Sequence, residues 1–346
     1  MFTHVIRRTF IPCLIQRSLS IATTNSTLSS SPIRICIVGS GPAGFYLTQN
    51  LLKLSQTIPT TIDIIEKAPV PFGLVRYGVA PDHPEVKNVM HTFTKIAEHE
   101  NVRFIGNVHI GKTIGLKELQ DFYHVVVLAY GSSVERSLNI PGEKTLANVF
   151  SAKDFVGWYN VGVPENAELR PQLDRTDRAV IPVANRSFSE ENLPVQQNQT
   201  IETIPCGLVI KSIGYQGIQI DPWLPFDHER GIILNRQNRI DDRPGFYCAG
   251  WIGRGARGVI AETTTESHTI AKRIIDDIEH GRLINLRDIK SGGDGLVSLV
   301  KSRQVRCISY EDWKKLDAHE TNLGLSKGKP REKILNIQKM LELTAP

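Results

Sequence analysis

The pattern of apolar and polar positions divides the chain into two ordered stretches with a polar middle. Apolar runs typical of buried strands occupy residues 33–38, 61–65, 102–110, 123–129, 206–215 and 246–251. Apolar residues at helical spacing predict helices over 88–98 and 261–280. Because strands and helices alternate, the sequence predicts an α/β fold with a parallel sheet.

The middle of the chain, residues 136–203, has a weaker pattern. A strand-like run begins at Arg178 but meets Pro182, which cannot donate to a sheet. Residues 185–200 are rich in Asn, Gln, Ser and Glu and show little periodicity. We interpret that stretch as an exposed loop.

A glycine-rich turn, G-S-G-P-A-G at 39–44, follows the first strand directly, and Glu66 ends the second strand. Such glycines form a tight turn, let the backbone approach a pyrophosphate and let the next helix pack closely on the sheet. The helix N-terminus offers free N–H groups to the phosphates, and an acid at Glu66 binds an unphosphorylated ribose. This order predicts a site for FAD or NAD rather than NADP. A structural turn without a ligand is the alternative.

Two further segments favour a ligand near this turn. Prolines and glycines interrupt residues 67–88, which predicts an ordered loop over a bound group, with little helix or strand. The strand at 123–129 ends in Tyr130-Gly131-Ser132, and nucleotide-binding sheets hold ligands at such carboxyl ends.

The first 31 residues differ from the rest in composition. They contain Arg7, Arg8 and Arg17 and no acidic residue, since the first acid in the chain is Asp63. Apolar pairs alternate with the basic residues, and Ser and Thr follow. This composition predicts a mitochondrial transit peptide, with a disordered leader as the alternative.

Charge and hydropathy exclude other classes. The chain has a net charge of +5, and three of these charges lie in the first 31 residues, so the body gives no indication of nucleic-acid binding. Apolar runs stay shorter than the roughly 18 residues that a membrane span needs.

The five cysteines form no Cys-x-x-Cys pair and no cluster with metal spacing. This disfavours a dithiol flavoenzyme, a resident Fe–S cluster or a metal site. Cys36 and Cys248 lie in apolar strands, so we expect them to be buried.

Taken together, these segments resemble the mitochondrial adrenodoxin reductase family. The matching segments are 38–46, 66–88, 155–160, 205–208, 212–215, 250–260, 312–318 and 328–333. Relatives with two dinucleotide sites usually have Asp where this chain has Trp251, and Trp is characteristic of this family. The resemblance covers most of residues 33–178 and 204–346.

The resemblance implies a glutathione-reductase-like, Rossmann-like fold. Its FAD domain is discontinuous, with halves at 33–135 and 204–346, and residues 136–203 between them are what is left of an NADP-binding domain. The implied FAD contacts are Gly39, Gly41, Ala43, Gly44, Glu66, Leu74, Ile110, Trp251, Gly258, Val259 and Ile260. His83 falls in a loop close to the flavin and is either a catalytic residue or a loop histidine bonded to its neighbours.

The resemblance also implies an activity. NADPH would reduce FAD, and FAD would pass single electrons to a [2Fe–2S] ferredoxin of the adrenodoxin type, in the mitochondrial matrix and at the periphery of the inner membrane. An acidic ferredoxin requires a basic docking face. The candidate residues for that face are Arg254, Arg257, Lys301, Arg303 and Arg306, with an ordinary solvated surface as the alternative.

The chain departs from the family in its second nucleotide domain. Val180-Ile181 precedes Pro182 rather than a glycine turn, and residues 171–203 contain no paired arginines. A compact domain needs roughly 100 residues. Three interpretations stay open: an active reductase, an FAD-binding protein with impaired NADPH oxidation, and an incomplete gene model. We also expect apolar surface, once covered by the lost domain, near Phe155, Trp158 and Tyr159.

Overall fold

The computed structural model describes residues 31–79, 83–160, 169–175, 177–183 and 203–345. The expected transit peptide lies outside these residues except for Ser31. The strands are β1 (Ile33–Val38), β2 (Thr60–Ile65), β3 (Val102–Ile105), β4 (Val125–Leu128), β5 (Val134–Glu135), β6 (Val149–Ser151), β7 (Ala179–Val180), β8 (Leu208–Lys211), β9 (Tyr215–Gln216), β10 (Phe226–Asp227), β11 (Ile232–Ile233), β12 (Asn235–Arg236), β13 (Arg239–Ile240) and β14 (Phe246–Cys248).

The helices lie between these strands and after them. They are α1 (Pro42–Leu54), α2 (Gly73–Tyr77), α3 (Pro84–Lys87), α4 (Val89–Ala97), α5 (Leu119–Phe122), α6 (Ala152–Tyr159), α7 (Trp251–Arg254), α8 (Ile260–Glu279), α9 (Gly293–Ser302), α10 (Tyr310–Leu325) and α11 (Ile337–Leu343).

The main sheet has the order β12-β13-β14-β4-β1-β2-β3. The five strands from β14 to β3 are parallel, and β12 and β13 extend the sheet in antiparallel fashion. Strand β1 lies between β2 and β4, so the connection reverses direction beside β1. Ligands of open α/β sheets bind at such a switch point. The predicted α/β fold with a parallel sheet is confirmed.

Both faces of the main sheet are buried, which explains why its strands are apolar throughout. Ile35 and Ile37 face one core with Phe45 and Phe93, and Cys36 and Val38 face the other. This alternation follows from the two-residue period of a strand. As expected, the Cys36 and Cys248 side chains are fully buried.

The stretch from 67 to 88 contains more helix than its prolines and glycines indicated. Helix α2 begins after Phe72, which has a φ of 83°. Helix α3 begins with Pro84 at its first turn, where the missing N–H of proline removes no helical hydrogen bond. Two short helices thus interrupt the predicted loop, and the other described residues of the stretch belong to no helix or strand.

A second, smaller sheet lies in the middle of the chain. Strands β6, β8 and β7 pair in that order and are parallel. Strands β5 and β9, which lie before β6 and after β8 in the chain, form a separate antiparallel pair. Strand β8 thus belongs with the middle segment by its pairing, although it follows the boundary expected at residue 204. The division into domains stays a prediction.

Candidate dinucleotide-binding site

The turn between β1 and α1 is shaped by close backbone approaches. Gly39 has a φ of +111°, and a methyl group there would lie 2.6 Å from the carbonyl oxygen of Ala129. A methyl group at Gly44 would lie 2.2 Å from the carbonyl oxygen of Gly39. The first and third glycines are therefore required by the protein itself, because a side chain would separate β1, β4 and α1.

The second glycine has a different setting. Gly41 is the N-cap of α1, with an ordinary φ of −82°. No atom of the described residues lies within 4 Å of where its Cβ would be. The first turn of α1 contains no acidic residue, so no carboxylate of the helix itself competes for its free N–H groups. This open cradle suits an anionic group such as a pyrophosphate.

Glu66 lies at the carboxyl end of β2 and contacts the same turn. Its Oε2 accepts hydrogen bonds from the Ser40 amide at 3.0 Å and the Ser40 hydroxyl at 2.7 Å. Its Oε1 accepts one from the Ala68 amide at 3.1 Å. These bonds fix the carboxylate beside the glycine turn, at the place predicted for a ribose-binding acid.

Helix α2 lies against the glycine turn. The Phe72 amide donates to the Ser40 carbonyl at 3.1 Å, and a methyl group at Gly73 would lie 3.3 Å from the Gly41 Cα. The side chain of Leu74, an implied cofactor contact, is 40% exposed. The resemblance implied that Leu74 lies near the cofactor. In the structure, α2, which contains Leu74, lies beside the glycine turn.

The C-terminal half of the chain contributes a second side. A methyl group at Gly250 would lie 2.7 Å from the Ala43 Cβ, so the start of α7 lies against α1. Trp251 stacks on Tyr215 with ring centroids 5.8 Å apart. Val259, the N-cap of α8, is 67% exposed.

Gly258 and Ile260, the remaining C-terminal candidates, lie on either side of Val259 in the chain. The Ile260 side chain packs on the core. Helix α8 in turn packs along α1. The structure thus brings the C-terminal candidates to the helix that begins at the glycine turn.

The two remaining predicted residues differ in exposure: Ile110 is buried and His83 is exposed. The Ile110 side chain is buried in the core on the α5–α9 face. The His83 side chain is mostly exposed, and its Nδ1 lies 3.1 Å from a carboxylate oxygen of Glu85. The Glu85 side chain is mostly exposed as well. The role of either residue in cofactor binding stays a prediction.

The basic residues predicted as a docking face have internal partners. The Arg303 guanidinium pairs with Glu118, and that of Arg306 donates to the carbonyls of Leu341 and Thr344. Arg254 pairs with Glu266 at 3.0 Å. These three side chains therefore have structural contacts whether or not they also meet a partner.

Sequence reasoning missed a buried polar cluster behind α2. The Arg76 guanidinium donates to both carboxylate oxygens of Glu320 at 2.7 and 2.8 Å, and Lys333 and Asn160 lie next to it. These residues are distant in sequence, and each alone is an ordinary polar residue. Their only signal was that they fall within or beside segments that match the family.

The fold and the glycine turn define a dinucleotide-binding protein of the Rossmann-like class. A family model described as "NAD(P)-binding Rossmann-like domain" matches residues 37–105. The mitochondrial NADPH:adrenodoxin oxidoreductase of Salvelinus fontinalis is 34% identical over 466 aligned positions, which cover 92% of each chain. That of Homo sapiens is 34% identical and covers 92% of this chain and 93% of its own.

The chain belongs to the mitochondrial NADPH:adrenodoxin oxidoreductase family. The solved structure of Mycobacterium tuberculosis FprA in complex with NADPH has the same fold, with a TM-score of 0.77 at 24% identity over 90% of this chain and 99% of its own. The alignment with the Salvelinus protein has 466 positions, and this chain has 346 residues. At least 120 aligned positions are therefore gaps in this chain.

Among the described residues, no helix combines the length and apolar character needed to cross a membrane. Within the same residues, His, Cys, Asp and Glu do not gather in groups of three that could hold a metal ion.

Proposed function

We propose that this protein is an FAD-containing oxidoreductase that passes electrons from NADPH through FAD to a [2Fe–2S] ferredoxin. The observation that carries the proposal is the open cradle at Gly41, which lies at the switch point of the sheet in a chain that belongs to this oxidoreductase family. Apart from its chain neighbours, a side chain at Gly41 would meet no described protein atom, so the space beside it is free to hold a ligand.

The residues present fit FAD. The Gly41 turn and the N-terminus of α1 would hold the pyrophosphate, and Glu66 the adenosine ribose. Leu74 on α2 and Trp251 with Val259 would line the flavin end. When bound, FAD supplies the conversion between two-electron and one-electron transfer. The chain's own residues bind and orient the cofactor, and the apolar side chains keep water from it.

We place the protein in the mitochondrial matrix, at the periphery of the inner membrane, with an acidic adrenodoxin-type ferredoxin as partner. The named relatives are mitochondrial. The other three basic candidates hold ion pairs or backbone carbonyls of the described residues, so Lys301 and Arg257 are the first choices for the docking face.

A second candidate function is FAD binding with impaired NADPH oxidation. The sequence contains no glycine between Gly162 and Gly207, so β7 leads into no second glycine turn. Three parallel strands, β6, β8 and β7, form the small sheet in the described middle segment. A nucleotide domain of this class needs more strands and a phosphate-binding turn.

One experiment separates the two candidates. The purified chain is loaded with FAD, which is identified after heat release, and then mixed anaerobically with NADPH beside a full-length relative. Efficient reductase activity predicts bleaching of the oxidised flavin absorption at a rate similar to the relative. The impaired form predicts oxidised flavin that persists for far longer, although dithionite bleaches it.

Failure to bind FAD at all would contradict both candidates. Sequencing the transcript across the codons for residues 170–205 tests the third interpretation, since additional coding sequence there would show an incomplete gene model.

A further inference from the structure

A buried joint connects the small sheet to the loop that lies on the cofactor site. Asn160, the C-cap of α6, is 2% exposed. Its Nδ2 donates to the carbonyls of Tyr77 at 2.7 Å and Val79 at 2.5 Å. Both hydrogens of the amide nitrogen are therefore used, and both go to the segment that ends α2.

The acceptor side of Asn160 is engaged by two lysines. The Lys333 ammonium donates to the Asn160 side-chain oxygen at 3.1 Å and to its carbonyl at 2.9 Å. Lys87 donates to the same side-chain oxygen at 3.3 Å. A single asparagine thus joins α6, the end of α2, α3 and the C-terminal segment.

Lys333 also forms a hydrogen bond to the backbone of α2. Its third acceptor is the Arg76 carbonyl at 3.0 Å, so three oxygens match the three N–H groups of an ammonium. Burial, followed by the charges of Arg76 and Lys87, lowers the pKa of Lys333 to about 7. The hydrogen bonds of Lys333 to Arg76 and Asn160 connect α2 to the end of α6.

The two helices that Asn160 connects, α6 and α2, contact the small sheet and the glycine turn respectively. At one end, α6 follows β6 directly, and β6 pairs with β8 in the small sheet. At the other end, α2 begins at Gly73, which lies against Gly41 in the cofactor cradle. A displacement of the small sheet would therefore shift α6, and the Asn160 hydrogen bonds would pass that shift to the segment that ends α2.

We propose that Asn160 and Lys333 are positioning residues that hold the segment 72–79 over the cofactor site and couple it to the small sheet. This inference rests on the proposed function, since it takes the ligand to be FAD. Neither residue touches the cofactor in this proposal; both act through the backbone carbonyls of 76–79.

The test compares FAD-loaded protein with the variants Asn160→Ala and Lys333→Met. We expect at least fivefold weaker FAD binding and a shifted flavin absorption band in both, because α2 loses its fixed position. Lys333→Arg keeps N–H donors and should restore part of the affinity. FAD dissociation constants come from flavin fluorescence on titration of the apo-protein.

Asn148→Ala is the matched control. Asn148 also donates to two carbonyls, those of Gln172 and Gly207 at 3.1 and 3.0 Å, but within the middle segment. This variant should lose thermal stability while its flavin spectrum and FAD affinity stay unchanged. Equal flavin spectra and affinities for Asn160→Ala and Asn148→Ala would overturn the proposal.

Hydrogen exchange provides a second measurement that needs no variant. FAD binding to the unaltered chain should protect the amides of 153–160 as well as those of 72–79. Protection confined to 72–79 would contradict the coupling even if the Asn160 variant did not fold. Failure of the proposed function is distinct, because the unaltered chain would then bind no FAD and show no protection anywhere.

Discussion

At the scale of single residues, the three glycines of the first turn occupy different surroundings, so each is a glycine for a different physical reason. Gly39 and Gly44 are fixed by protein atoms, since a methyl group at either would meet a carbonyl oxygen below 3 Å. Gly41 has an allowed φ and open space beside it. The fold thus requires the first and third glycines, whereas we propose that the second is there for the ligand.

We expect Gly41→Ala to fold normally but to bind FAD roughly tenfold more weakly, or about 1.4 kcal/mol, because its methyl group fills the cradle. Thermal unfolding of the apo-protein and fluorescence titration with FAD measure the two effects. Gly115→Ala is the control, since the nearest atom to a methyl group there would be a Glu118 carboxylate oxygen at 3.2 Å, away from the glycine turn. Unchanged FAD affinity in Gly41→Ala would show that the pyrophosphate lies elsewhere.

His124 is a buried residue that fixes the start of β4. Its Nδ1 accepts a hydrogen bond from the Arg34 amide at 2.9 Å, and its Nε2 donates to the Asp288 carbonyl at 3.0 Å. Burial lowers the pKa of His124 below its ordinary value. The folded state therefore favours the neutral ring, whereas the unfolded chain takes up a proton near pH 6.5.

The His124 contribution to stability should be fully present above about pH 6.5 and should be lost as the pH falls through its lowered folded pKa. Urea unfolding at a series of pH values between 5 and 8 measures this loss. In His124→Gln, which does not titrate, the free energy of unfolding should fall less steeply with decreasing pH. An identical pH slope in both proteins would contradict this role.

At the scale of elements, the position of α2 depends on α10, more than 200 residues later in the chain. Glu320 on α10 is fully buried, and both its carboxylate oxygens accept from Arg76. The Arg76 guanidinium also lies 4.9 Å from the Trp313 ring centroid. The capping box of Ser309 and Asp312 fixes where α10 begins.

Glu320→Gln should lower the free energy of unfolding by roughly 3–5 kcal/mol, because it leaves the Arg76 charge buried and unpaired. Urea denaturation of the apo-protein measures this loss. Glu311→Gln, on the same helix, is the control: Glu311 pairs with Lys314 at the surface, and its removal should change stability little. Similar losses in both variants would show that the buried pair contributes no more than a surface one.

At the scale of the whole molecule, the small sheet has apolar residues on its surface. Tyr159 is 49% exposed, as expected from the sequence, and Ile181, Val183 and Ile204 are 56%, 66% and 48% exposed. Phe155 and Trp158 are half-buried and pack on each other at 5.4 Å. These exposed residues agree with the apolar surface that the sequence predicts near α6.

The double variant Ile181→Lys with Ile204→Lys should therefore aggregate less at high concentration, without loss of thermal stability. Static light scattering over a concentration series measures the effect. The control carries Ile284→Lys with Ile289→Lys, which are 77% and 83% exposed but lie outside the small sheet. Equal improvement in both variants would show that added charge alone is responsible.

The sequence by itself determined the local parts of this protein. The strand–turn–helix at 33–54, the acid at Glu66 and the buried strands follow from short-range patterns, because a two-residue period and a glycine turn are local properties. The family followed from segments that could be read one at a time. The short helix α3 was missed although Pro84 stands at its first turn, a position that proline favours.

Only the tertiary structure decided which distant residues meet. Arg76 with Glu320, and Asn160 with Lys333, are joined across 244 and 173 positions, and no sequence period relates them. The structure also showed that Gly41 faces open space, whereas Gly39 and Gly44 face backbone. The physical reason is that burial and hydrogen bonding between segments depend on how the chain folds back on itself, whereas turns and strands depend on neighbouring residues.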